Sequence, residues 1–225
     1  VLTESIYSLL IRFSIPNAVG SIALLVIGFA DAFYVSRLSL THLTAFAFCL
    51  PLMLFFQMIG FGLMIGTSST SSRLLGKKYH HLIGYTNTNT LILCFLLTLI
   101  ACFIFYKLKT PLFLLLGATG DLFYLIFPFF NWFLITIPIQ VLIMNAFAMM
   151  RANGEATKPN LFLLISAFGH CLLCPIFVFG LFGAPRLELL GLIVSRCLSQ
   201  AFFLALSLLY LKQKKLLGAI KARLI

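Results

Sequence analysis

Few residues in this sequence can do chemistry, and the first of them is Asp31, the one acid in the apolar run 11–38. A carboxylate in hydrocarbon costs roughly 2.5 kcal/mol or more at the centre of a spanning helix, which marks it as a functional candidate whose partners must be found. Arg196 stands inside a second apolar run near the C-terminal end. His170 and Cys174 are four residues apart and so share one helix face. With Cys171 they supply soft donors of the kind that bind metals or undergo redox chemistry. Their continuous apolar surroundings and the lack of a second cluster favour thiols packed as small hydrophobes, so no metal is expected. Gln57, Asn131, Gln140 and Asn145 add uncharged polar groups that either line a cavity or bond helix to helix.

The elements that position these residues follow from composition. Of the 225 residues 62% are hydrophobic and 9% charged, more apolar surface than one water-soluble domain can hide. A membrane span needs about 20 apolar residues, and the segments 13–36, 44–70, 88–107, 122–150, 160–183 and 189–211 qualify. The expected fold is an all-α integral membrane protein with six transmembrane helices, because the alternating pattern of a barrel strand does not recur. The third helix is expected to start at the caps Asn87, Asn89 and Thr90, and His80-His81 to lie in a solvated turn.

The formal charge of +11 would suggest a nucleic-acid partner in a soluble domain. Here the basic residues lie between and after the apolar blocks, where they orient the bundle, so no nucleic acid is expected. Arg12, Arg73, Lys77, Lys78, Arg151, Lys158 and the basic residues of 212–225 share one side; Arg37, Lys107, Lys109 and Arg186 hold the other. The richer side is cytoplasmic by the positive-inside rule, giving a multi-pass cell (inner) membrane protein with both termini cytoplasmic. The basic tail 212–225 reads as a solvated stretch that fixes topology, or as one lying on anionic lipid. The opening run is too long for a cleavable signal peptide. No phosphate loop, His-Glu-x-x-His or nucleophile elbow is present, so the reading is not an enzyme.

Several stretches together are similar to one family. They are Pro16 with Gly28-Phe-Ala-Asp31, then Gly60, Gly62 and Gly66 before the hydroxyl run Thr67 to Ser72 and Arg73. Asn145 and Arg151-Ala-Asn-Gly154-Glu-Ala-Thr157-Lys158-Pro159 follow, and then Pro175, Gly180, Gly183, Pro185 and Gly191. In this order and spacing the chain resembles the multidrug and toxic compound extrusion (MATE) transporters. The resemblance implies a twelve-helix protein of two six-helix lobes around a cavity open alternately to each side, of which 1–225 is the N-terminal lobe. It reads as a fragment, a split-gene product or a half that pairs with a second six-helix lobe or a homodimer partner.

The resemblance also implies an ion site at Asp31, coupling transport to H+ or Na+. Alignment on Pro175 and Gly180 puts His170 and Cys174 where many members have Asn and Asp, and alignment on Gly191 puts Arg196 at or beside a Thr. Helix rise places Asp31 roughly 9 Å inward of Arg37 and Arg196 about 12 Å inward of Glu188, compatible depths in the outer half of the bilayer. Two schemes stay open: Arg196 as a fixed tether for Asp31, since an Arg does not release its proton, or His170 as a proton-relay partner. Arg196 facing water or phosphate near the outer boundary is a third placement. The implied function is multidrug efflux by antiport of small lipophilic or cationic substrates, with membrane lipid around the bundle and no cofactor. The rivals are a non-transporting remnant or packing subunit and a flippase for lipids or lipid-linked sugars.

Overall fold

A computed structural model describes residues 6–155 and 157–218. Six long helices run through them: α1 Ile6–Ser36, α2 Leu40–Gly76, α3 His80–Leu115, α4 Phe123–Ala152, α5 Thr157–Phe179 and α6 Leu189–Gln213. Each is long and apolar enough to cross a membrane. The fold is therefore all-helical, with the six apolar helices that the hydropathy pattern predicts.

Helix ends differ from expectation where polar residues find partners. The α3 helix starts at His80, eight residues earlier than the apolar run suggests. Asn87, Asn89 and Thr90 are thus interior residues and not caps. Asn87 is buried, accepts a hydrogen bond from Ser71 Oγ (2.8 Å) and donates to the Leu216 carbonyl (3.0 Å). The helix also runs on past the expected end at 107 to Leu115, so Lys109 lies on α3 with Lys107. Lys109 Nζ donates to Asn131 Oδ1 (2.8 Å) and sits 4.3 Å from the centre of the Tyr106 ring, so its charge is held by an amide and an aromatic face. The α5 helix stops at Phe179 and not at 183 because Gly180 turns left-handed (φ 75°). A side chain is strained in that conformation. The loop then folds back, with Leu187 N–H bonded to the Phe177 carbonyl (2.9 Å).

Helix α4 is the central element, packed against α2, α3 and α6, while α1 lies on α5 and α5 on α6. One side of α4 carries an aromatic core in which Phe56, Phe113, Phe129, Phe130 and Phe133 are fully buried. Their rings meet mostly edge to face, as Phe113 and Phe130 do at 5.2 Å and 89°. Lipid tails are as apolar as these side chains, so association within a bilayer depends on such close packing and on interhelical hydrogen bonds. Asn145 supplies the second kind: it accepts from Thr67 Oγ1 of α2 and Cys94 Sγ of α3 (3.6 Å), and its Nδ2 donates to the Val141 carbonyl (2.8 Å). At the α5–α6 crossing Gly191 permits backbone contact, since a Cβ there would come within 2.6 Å of Phe177 and Val178 backbone atoms.

The start of the basic tail does not leave the bundle. Leu216 to Gly218 return to the first turns of α3, where Gly218 N–H bonds the Gly84 carbonyl (3.0 Å) and Thr88 Oγ1 donates to the Gly218 carbonyl (3.0 Å). The remaining tail, 219–225, lies outside the described residues. Nearby, Glu155 joins α4, α5 and the end of α6: Tyr210 donates to it, and Lys158 (3.3 Å) and Lys214 (3.6 Å) pair with it. Partial burial pushes the Glu155 carboxyl up, but those hydrogen bonds and charges outweigh it and hold the group below its ordinary value of 4.5.

Two outcomes follow from this packing. Gly191→Val should lower stability in detergent by about 1–3 kcal/mol through overpacking against backbone, whereas Gly62→Ala, with nothing within 4 Å of the added Cβ, should not; thermal unfolding reads both. A depressed folded-state value for Glu155 means its stabilisation is complete above 4.5 and is lost as pH falls through the lower, folded value. Glu155→Gln should therefore flatten the acid limb of the melting temperature against pH, and an unchanged acid limb would disprove the depressed value.

Candidate functional site

Three helices that meet beside the aromatic core bring the chemical residues together. Asp31 comes from α1, His170 from α5 and Arg196 from α6. The Asp31 carboxylate is 2% exposed, as is His170. Its two oxygens are both engaged: His170 Nε2 donates to Oδ1 at 2.7 Å, and Arg196 Nη2 donates to Oδ2 in a close ion pair. Tyr34, one turn further along α1, donates to the Cys171 carbonyl (3.3 Å) and holds α1 against α5 at the same level. Cys174 is fully buried beside the pair. One ligand-type atom each from Asp31, His170 and Cys174 lies within 4.8 Å of the others.

This arrangement is electrostatically closed. Breaking one partner from a buried charge is costly because the other is left unneutralised, while a complete group with its hydrogen bonds satisfied is tolerated. Arg196 provides a permanent positive charge that cannot leave as a proton, and the bidentate use of the carboxylate leaves neither oxygen for a further ligand without rearrangement. The one unsatisfied atom here is His170 Nδ1, which is buried and without a hydrogen-bond partner among the described residues.

The sodium ion that the family resemblance implies at Asp31 does not fit these residues. Hard cations are held by oxygen ligands. Beside Asp31 the chain offers an imidazole and a thiol, not the oxygen ligands a hard cation takes, and Oδ2 is already held by the guanidinium of Arg196.

Asp31, His170 and Arg196 open onto a cavity of about 300 Å³. A second of about 150 Å³ continues it toward Arg151 and shares Leu24, Ile27, Gln57, Gln140, Ser166 and Gln200 with it. Gln57 and Gln140 thus line the cavity. Asn131 and Asn145 do not: the first holds Lys109 and the second ties α2, α3 and α4 together. Two lining residues were legible only as something else. Gln200, one helical turn beyond Arg196 on the same face, reads in the sequence as one more residue of an apolar helix, and Arg151 as an orienting charge. Arg151 reaches the second cavity, where Nη2 donates to Asn160 Oδ1 (3.2 Å) and Nε has no hydrogen-bond partner among the described residues.

The closed group makes a double-mutant prediction. Arg196→Met leaves a buried carboxylate short of its main counter-charge and should destabilise the lobe by about 3 kcal/mol. Adding Asp31→Asn should recover most of that loss, measured as a coupling energy from unfolding in detergent. Additive losses would mean that Arg196 faces solvent or lipid instead.

The MatE family model matches residues 16–176. Among curated proteins the chain is 29% identical over 218 residues to an FAD transporter of Shewanella oneidensis, covering 96% of this chain and 48% of that protein. It is 24% identical to the multidrug export protein MepA of Staphylococcus haemolyticus, over 89% of this chain and 45% of the relative. The bent form of the Vibrio cholerae MATE transporter VcmN superposes with a TM-score of 0.91 at 21% identity, over 97% of this chain and 49% of that one. A transporter from Pyrococcus furiosus, described as having a binding pocket of reverse polarity, gives 0.84 at 23% identity over 96% and 47%. The chain spans about half the length of each. With this match over most of its length, and with six apolar helices where those transporters have twelve, the chain belongs to the MATE family of membrane transporters and forms one six-helix lobe of that fold.

Proposed function

We propose that this lobe is half of an exporter that moves bulky organic compounds out of the cell by antiport, in partnership with a second six-helix lobe. The observation that carries the reading is the continuous cavity between α1, α2, α4, α5 and α6. Its walls combine apolar side chains such as Leu24, Ile27, Met53 and Phe133 with the amides of Gln57, Gln140 and Gln200. Drug-sized ligands are bound by such surfaces, mostly apolar with a few polar groups that fix orientation, in volumes of roughly 300–1,000 Å³. One lobe supplies the lower end of that range, and a facing lobe enlarges it. Rocking of one lobe against the other then exposes the shared cavity to each side in turn.

The driving ion is a proton or another cation, with sodium at Asp31 disfavoured by the ligands around it. A second substrate reading is supported by charge. Among the described residues the cavity's single carboxylate is already matched by Arg196, and Arg151, with no ion pair there, adds positive charge at the other end. Such a cavity suits flat aromatic compounds carrying phosphate, and flavin dinucleotide, named for the Shewanella relative, is one of them.

Cells expressing the full-length protein should retain less of a fluorescent drug such as ethidium, or release more flavin dinucleotide, than cells lacking it. Efflux in vesicles should follow an imposed pH gradient and ignore a sodium gradient. Asp31→Asn should reduce it at least about tenfold if the closed group takes part in the cycle. Wild-type retention of both compounds equal to the empty control, or efflux that requires sodium, would overturn the proposal.

A further inference from the structure

We infer that Asp31, His170 and Cys174 form a binding site for a borderline-soft divalent metal ion of the zinc class, a metal clamp between α1 and α5. Three observations converge. The donors are a carboxylate, an imidazole and a thiol whose ligating atoms lie within 4.8 Å of one another. That set matches zinc, which takes Cys, His and Asp in tetrahedral sites and keeps a water where only three protein ligands are present. The residues are 2%, 2% and 0% exposed, so the ligands are already gathered in a buried place. Helix spacing presents His170 and Cys174 on one face of α5, directly toward α1.

The required movement is small. Two ligands each about 2.05 Å from a tetrahedral zinc sit about 3.3 Å apart, against 2.7 Å now between His170 Nε2 and Asp31 Oδ1. Opening by about half an ångström makes room. The cavity reaches Asp31 and His170 and gives the ion a route in. On binding, Cys174 gives its thiol proton to water and ligates as thiolate, and the imidazole ligates in neutral form. Carboxylate and thiolate then set two negative charges against three positive ones, two on the ion and one on Arg196. Arg196 remains on Oδ2, and its positive charge opposes the metal. The hard ions magnesium, calcium and sodium gain little from a thiol and an imidazole and are selected against.

Cobalt(II) reports on this site because thiolate ligation gives a near-ultraviolet charge-transfer band and tetrahedral geometry gives strong visible bands. Titration of the purified full-length protein in detergent should develop both bands with one ion per chain, and zinc should abolish them by displacement. Cys174→Ser should lose the charge-transfer band and Cys171→Ser should keep it. His170→Ala should weaken binding at least about tenfold. Arg196→Gln retains all three ligands and removes the opposing charge, so it should bind more tightly. Folding of each variant is checked by size exclusion and helical circular dichroism. No band in the folded wild type, a band that survives Cys174→Ser, or weaker binding by folded Arg196→Gln would overturn the inference. The readout is ion binding, so it is decided separately from export.

Discussion

The structure turns on a carboxylate that must be neutralised inside a bilayer. Asp31 is buried, and an isolated charge in that setting is expensive. Arg196 and His170 remove the cost by taking one oxygen each. Because the three side chains come from α1, α5 and α6, the pairing dictates how those helices meet. The backbone contact at Gly191 lets α6 come close enough to α5 for Arg196 and His170 to reach the same acid. Tyr34 adds a hydrogen bond between α1 and α5 at the same depth.

The adjoining core of the bundle is held differently. Around α2, α3 and α4 the contacts are interlocked phenylalanine rings with a buried Asn145 at the inner end. Packing of that kind is rigid and carries no charge, which suits a wall. The charged side, by contrast, borders the cavity, and the polar amides of Gln57, Gln140 and Gln200 lie along the boundary between the two. A transporter lobe needs both parts: a wall that moves as a body, and a polar seam that meets whatever enters the cavity.

Much of this was legible in the residues. Hydropathy sufficed for six helices because the apolar blocks are long and separated by basic turns. The group around Asp31 was also legible, since its members are the residues whose cost in lipid demands an explanation. Helix ends were read less well. Asn87 looks like a cap until Leu216 and Ser71 are found beside it, and only folding brings residue 216 back to residue 87. The same holds for Lys109, whose partner Asn131 is on the next helix. Arg151 was read by the charge it adds to a loop, but its reach into the cavity depends on the packing of α4 against α5 and on Asn160. Pattern on a single helix shows which face is polar and is silent on what that face meets.

What distinguishes this lobe is that both oxygens of its membrane acid are bound by the protein's own nitrogen donors and not by a sodium ion. Infrared difference spectroscopy on the full-length protein, with Asp31→Asn used to identify the Asp31 carboxylate band, observes those oxygens directly. The band should have the frequency of a carboxylate paired with guanidinium and should stay in place when sodium replaces a large inert cation. A sodium-dependent shift of that band would contradict the closed Asp31–Arg196–His170 group.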